Sequence, residues 1–298
     1  METSIVAANS QQQSHVMTPV NQASSDEHLI ELWIHGRSIH TERAYRRDVK
    51  SFRAFVGKGL RMVTLGEVQD FTDSLSGAPT SQARTIAAVK SLLAFGHKLG
   101  YLPFDVGAAV QAPKIKDTLA ERILPEEAVI RMLAHEPNKR NHALLRLLYL
   151  SGVRVSEVCG LCWKDTQSRS DGQGQITVYG KGGKTRAIML PPSMWTELLA
   201  LRAGAGPEDP VFRSRQGGGP LDTSMVFYIV QAAAARKGTG IEGKVSPHWL
   251  RHAHASHSMD HGAPIHLVQA TLGHSSPATT GRYLHVRPSD SSSRFLVG

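Results

Sequence analysis

The sequence predicts a mainly α protein with one small β-hairpin, divided into two helical units. Three observations predict it. Apolar residues recur at three- and four-residue spacing through most of the chain. One stretch, QITVYGKGGKTRAIMLP, alternates instead, as the two strands of a hairpin do. Between the helical regions, residues 104–123, which include APKIKDTLAER, keep no steady period and read as a linker. With 298 residues, 41% of them hydrophobic, the chain can bury one large core or two modest ones.

The elements follow in order. Residues 1–24, rich in Ser, Gln, Asn and Ala, read as a disordered tail. In the first unit, residues 25–103, Ser25-Asp26 caps HLIELWIHG, with Leu29, Leu32 and Trp33 on one face. Thr41 opens TERAYRRDVKSFRAFVG, where Tyr45, Val49, Phe52 and Phe55 are expected to face inward. Arg43, Arg46, Arg47, Lys50 and Arg53 cover the rest of that helix. Thr64 and Glu67 form a capping box ahead of a third helix. PTSQARTIAAVKSLLAFGHKLG, with Arg84 and Lys90, is a fourth, closed by Gly100.

The second unit, residues 124–288, begins at Leu124-Pro125-Glu126-Glu127. NKRNHALLRLLYLSGVRVSEVCGL gives a helix, a break at Ser151-Gly152 and another helix. Ile176, Val178, Ile188 and Leu190 mark the hairpin strands, with Gly180 to Gly183 at the turn. Helices follow in PPSMWTELLALRAG and, from Asp222 or Thr223, in SMVFYIVQAAAARKG. Residues 289–298 form a polar tail ending in Phe295, Leu296 and Val297.

Composition narrows the function. A net charge of +9 favours a polyanionic partner, most simply nucleic acid. No run of 18 apolar residues offers a membrane span. The N-terminus METSIVAANSQQQSH lacks a basic segment followed by an apolar core, so no secretory signal is expected. Two cysteines argue against a disulfide framework, and a cytoplasmic location is expected.

The chemistry concentrates between Ser246 and His285. Ser246-Pro247 opens a helix carrying His248 and Arg251, three apart and so on one face. A short helix, PIHLVQATL, ends at Gly273-His274, and a third, from about Pro277, presents Tyr283. Guanidinium clamps the oxygens of a phosphodiester, imidazole moves protons near neutral pH, and a phenol oxygen can form a covalent intermediate. No acidic cluster sits here to hold magnesium. The set therefore implies attack by Tyr283 on a phosphodiester, with no metal and no cofactor expected.

Gly183-Lys184-Thr185 is no phosphate loop, because position 178, where the first glycine belongs, is Val178. HWLRH has the i, i+4 histidine spacing of a zinc helix, but Trp249 stands where a metalloprotease needs Glu. Cys159 and Cys162 form a lone CxxC inside a helix and read as small packing side chains.

HWLRH, LGHSS and GRYLH resemble three sequence boxes of the tyrosine recombinase (phage integrase) family, closest to its Xer branch. LYLSGVRVSE is similar to the family's LxxSGxRxSE motif. The resemblance extends over nearly the whole chain from about Ser25. It implies a helical core-binding N-domain, a linker and a catalytic domain. It further implies that Arg154 is a second phosphate clamp, with Glu157 in support. Lys181, with Lys184 as second candidate, would be the general acid on the leaving 5′ oxygen. His274 would bind the phosphate, and His248 would assist proton transfer as base towards Tyr283. Arg43, Arg46, Arg47, Lys50, Arg53, Arg84 and Lys90 would contact the DNA backbone.

The implied partner is double-stranded DNA with a specific core site. The implied assembly is a homo-tetramer on two sites, or a hetero-tetramer with a second recombinase. The apolar C-terminal end would dock on a neighbouring protomer. The expected task is Xer-like resolution of chromosome or plasmid dimers. The alternatives are integration or excision of a mobile element, a type IB topoisomerase, and a non-catalytic DNA-binding protein.

Overall fold

Three apolar clusters organise the chain, one built from residues before Asp117, the first core, and a large and a small one from residues after Lys116. The computed structural model describes residues 22–180, 183–274 and 276–285. The predicted C-terminal tail lies outside the described residues. Of the predicted N-terminal tail only residues 22–24 are described, and Ala23 is buried in the first core.

The first unit holds α1 (Asp26–Ile34), α2 (Ile39–Val56), α3 (Leu65–Ser74) and α4 (Pro79–Lys98). Ser25 caps α1 by accepting from the His28 N–H at 3.1 Å. Asp26 is buried, and its carboxylate accepts from the Leu60 N–H at 2.9 Å and the Tyr101 hydroxyl at 2.8 Å. The predicted apolar face of α1 needs correcting. Leu29, Ile30, Trp33 and Ile34 are buried, while Leu32 is exposed. At about 100° per residue, Leu32 lies roughly 130° from the centre of that stripe.

Ser38, not Thr41, caps α2, so the helix begins earlier than predicted. Val49 and Phe52 are buried as expected, but Phe55 sits at the stripe's edge. There it is exposed, with its ring edge-on to Phe71 at 5.5 Å. The capping box of Thr64 and Glu67 is present at the start of α3. The predicted linker has packed ends: Val106 and Val110 pack in the first core, Leu119 and Ile123 in the second unit.

The second unit continues with α5 (Glu126–Ala134), α6 (Lys139–Ser151) and α7 (Val155–Cys159). Leu144, Leu145, Leu147 and Leu148 are fully buried, which makes α6 the central helix. A three-stranded antiparallel sheet follows: β1 (Thr166–Ser168), β2 (Gly174–Tyr179) and β3 (Thr185–Leu190). β2 and β3 are the predicted hairpin, paired from Tyr179 with Thr185 to Gly174 with Leu190. β1 was not predicted, since TQS has no alternation to read. Then come α8 (Pro192–Leu199), α9 (Thr223–Ala234), α10 (Pro247–Asp260), α11 (Ile265–Leu272) and α12 (Pro277–Gly281). Ser246 stands at the N-cap position of α10, yet its side chain makes no capping hydrogen bond. Tyr283 is not on the predicted third helix, for α12 stops at Gly281 and a 3₁₀ turn, Arg282–His285, carries the tyrosine.

Candidate active site

The break after α6 is forced by Gly152, which has φ of +58°. A Cβ there would meet Leu272 Cδ2 at 2.6 Å and His254 Cδ2 at 2.7 Å, so α10 and α11 approach bare backbone. Two residues on, Arg154 stands at the N-cap of α7. Its backbone N–H donates to Glu157 Oε2 at 2.8 Å and its guanidinium to Glu157 Oε1 at 2.9 Å. The guanidinium also reaches the Gly273 carbonyl at 3.5 Å.

Arg251 enters from α10 and is only 5% exposed. It donates to the Gly152 carbonyl and, at 2.7 Å, to the Leu272 carbonyl. Burial, then the nearby Arg154, pulls its pKa down to about 10. Both arginines thus end on consecutive carbonyls at the close of α11, immediately before His274. Gly273 allows this turn in the left-handed region, at φ of +65°. His274 is half-buried, and a 2.8 Å hydrogen bond joins its Nδ1 to the Thr280 hydroxyl. Burial, then Arg251 and Arg154, lowers its pKa to about 4.

Arg154, Lys184, Arg186 and His274 line one groove of about 730 Å³. Lys184 is exposed on its rim, and Lys181 lies outside the described residues. His248 is exposed on α10, its pKa lowered by desolvation and then by Arg251 and Arg154.

Tyr283 is 6% exposed and packs with Leu119, Ile123, Ala255, Val268 and Leu272. Burial raises its pKa, against the pull of Arg251 and Arg282. Next to it, Arg282 pairs with Asp117 at 2.7 Å. The phenol hydrogen-bonds His252 Nδ1 at 2.7 Å, and His252, not His248, is the histidine that touches it. In the sequence His252 stands out only as the second histidine of the zinc-like i, i+4 pair with His248, with no part in the chemistry; their ring centroids are 6.4 Å apart. Burial first, then His248 and Arg251, lowers its pKa to about 4.

Arg186 was also missed. It holds both Glu157 oxygens, at 2.9 and 2.8 Å, and donates through Nε to the Thr271 carbonyl at 2.6 Å. A signal was available, since strict alternation puts Arg186 on the inward face of β3 with Ile188 and Leu190. A charged side chain there needs a partner.

The basic residues of the first unit divide into two sets. Arg43, Arg47 and Lys50 are exposed and carry no hydrogen bond or ion pair among the described residues. Arg46 forks Glu31 at 2.6 and 2.7 Å, and Arg53 bonds Glu27 at 2.6 Å. Arg84 pairs with the buried Asp48, and Lys90 bonds the Val110 carbonyl. Cys159 and Cys162 are free thiols, with burial raising the Cys159 pKa to about 11. Among the described residues, no group of three metal-ligating side chains converges and no helix is long and apolar enough to cross a membrane.

Both units resemble known proteins. Residues 122–290 match the phage integrase family and residues 26–98 its N-terminal SAM-like domain. The chain is 34% identical to tyrosine recombinase XerD of Shewanella oneidensis, over 88% of this chain and 91% of that protein. It is equally 34% identical to tyrosine recombinase XerC of Mycobacterium tuberculosis, over 84% of this chain and 89% of that one. In fold it resembles a lambda integrase dimer bound to a core site, with TM-score 0.71 at 20% identity over 89% of this chain and 95% of that one. It also resembles the pre-cleavage complex of XerH recombinase with its difH substrate, with TM-score 0.68 at 21% identity over 92% and 84%. A lambda integrase tetramer on a Holliday junction gives TM-score 0.67 at 17% identity over 91% and 83%. With both of its units matched and relatives 34% identical over most of its length, the chain belongs to the phage integrase family, as a Xer-type tyrosine recombinase, an enzyme of site-specific DNA recombination.

Proposed function

We propose that this recombinase cuts DNA through Tyr283 and serves to resolve chromosome or plasmid dimers. The phenol oxygen attacks a backbone phosphorus, the bond from phosphorus to the 5′ oxygen breaks, and a 3′-phosphotyrosyl bond replaces it. Arg154 and Arg251 balance the charge that grows on the phosphate oxygens, and His274 hydrogen-bonds the same group. Lys181 protonates the departing 5′ oxygen. The tyrosyl proton goes to His252, whose neutral ring already touches the phenol; His248, further off, assists at the phosphate. A 5′-hydroxyl from another strand reverses the step, so the bond energy stays in the phosphotyrosine.

One observation carries this reading. Arg154 and Arg251, far apart in sequence, are held by the Gly273 and Leu272 carbonyls beside His274. That is a preformed anion clamp adjoining the core that holds Tyr283. The names XerC and XerD borne by the relatives support a paired recombinase system, hence a tetramer of this chain alone or with a second recombinase. They also support a cytoplasmic site of action and a specific double-stranded core site.

Trapping the covalent intermediate tests the chemistry. Nicked candidate-site duplex is incubated with the protein in EDTA, then denatured. A protein–DNA band is expected with the wild-type chain and none with Tyr283→Phe. A band that persists in the variant assigns the nucleophile elsewhere.

A further inference from the structure

Arg186 has no part in that chemistry, yet its surroundings are those of a working residue. It stands on β3 across from Val178, on the face that Ile188 and Leu190 bury. Its side chain is 12% exposed, and the Glu157 side chain that it grips is 2% exposed. Glu157 accepts four hydrogen bonds, two from Arg154 and two from Arg186. A carboxylate has about four lone-pair positions to offer, so this one is saturated.

The charges explain why two arginines are needed. Alone, Glu157 would hold Arg154 in place but cancel its charge, and would set a buried carboxylate behind an incoming phosphate. A second guanidinium, forked onto the far side of the same carboxylate, offsets that anion. Arg154 is then both oriented and free to act as a cation. The third bond, from Nε to the Thr271 carbonyl, ties β3 to the last turn of α11, three residues before His274. Arg186 therefore joins the supports of Arg154 and His274, two groups that come from opposite ends of the unit's sequence.

We propose that Arg186 is a positioning residue for strand cleavage: it neutralises Glu157 and fixes the end of α11, so that Arg154 and His274 meet the same phosphate. This rests on the reading that those two residues hold the scissile phosphate.

The test measures single-turnover adduct formation on a nicked site duplex that reacts with the wild-type protein, together with DNA affinity and a melting curve. Arg186→Met is expected to slow adduct formation by about 100-fold, the scale of losing a support behind an active group. Its DNA affinity should stay within about threefold of wild type, since the basic surface is untouched. Combining Arg186→Met with Glu157→Gln should recover about tenfold, because the uncompensated carboxylate is gone; a purely structural defect would deepen instead. Arg186→Lys, a cation without the fork, should cleave about tenfold slower at unchanged affinity, and covers the case in which the methionine variant unfolds. Wild-type rates in Arg186→Lys and Arg186→Met, or a double variant no faster than Arg186→Met, would overturn the proposal. Absence of an adduct with the wild-type protein would instead count against Tyr283 chemistry itself.

Discussion

At the scale of single residues, His252 changes the account of Tyr283, whose phenol it touches at 2.7 Å. An imidazole with a pKa near 4 is neutral at pH 7, and in the tautomer with Nδ1 bare it can take the phenol's proton as the tyrosine attacks. His252→Ala is expected to slow adduct formation by about 10²–10⁴-fold, the usual worth of a positioned base, with DNA affinity unchanged. His248→Ala, whose ring lies a turn away from the phenol, should cost less. The reverse order of effects would return proton removal to His248. Sequence could not settle this, because His248 and His252 share one face of α10 and only the seating of Tyr283 chooses between them. Arg186 differs: its inward position on β3 was legible, but its partner Glu157 lies 29 residues away, beyond β1 and β2, a separation that no local pattern spans.

Among elements, α2 shows how a basic helix face divides. Arg43, Arg47 and Lys50 have no partner among the described residues, so each can meet a phosphate without losing a contact. Replacing any of the three by alanine should lower the slope of log affinity against log salt by about 1. Arg84→Ala should leave that slope alone and lower the melting temperature, because it strands the buried Asp48. A titration of binding from low to high salt, with melts of the same proteins, separates the two behaviours. In the sequence all seven basic positions looked alike, since an ion pair such as Arg84 with Asp48 joins two helices and has no local signature. Helix identity, the capping box at Thr64 and the β2–β3 pairing were legible, because each is fixed within a few residues. The edge strand β1 and the 3₁₀ turn under Tyr283 were not, because tertiary packing decides both.

For the whole molecule, histidine burial sets an acid limit. His252, His254 and His274 all have pKa values near 4, in each case chiefly from burial, against an ordinary 6.5. Unfolding restores the higher value, so between about pH 6.5 and 4 the unfolded chain binds more protons than the folded one. Stability is therefore full above pH 6.5 and falls as the pH drops towards 4. Each group adds a slope of at most about 1.4 kcal/mol per pH unit. Melting curves across that range should show the fall, and His254→Gln should flatten it. A melting temperature indifferent to pH across the window would contradict the burial of these rings. The second unit has one more global property. Leu119 and Ile123, at its beginning, pack against Tyr283, near the end of its described chain, and Asp117 pairs with Arg282 beside it. Mechanically the unit's first segment and its last described one form one joint, with Tyr283 as its pin. Tension on the chain at Asp117 would reach the Tyr283 phenol through Arg282, Leu119 and Ile123, without crossing the sheet or the central helix.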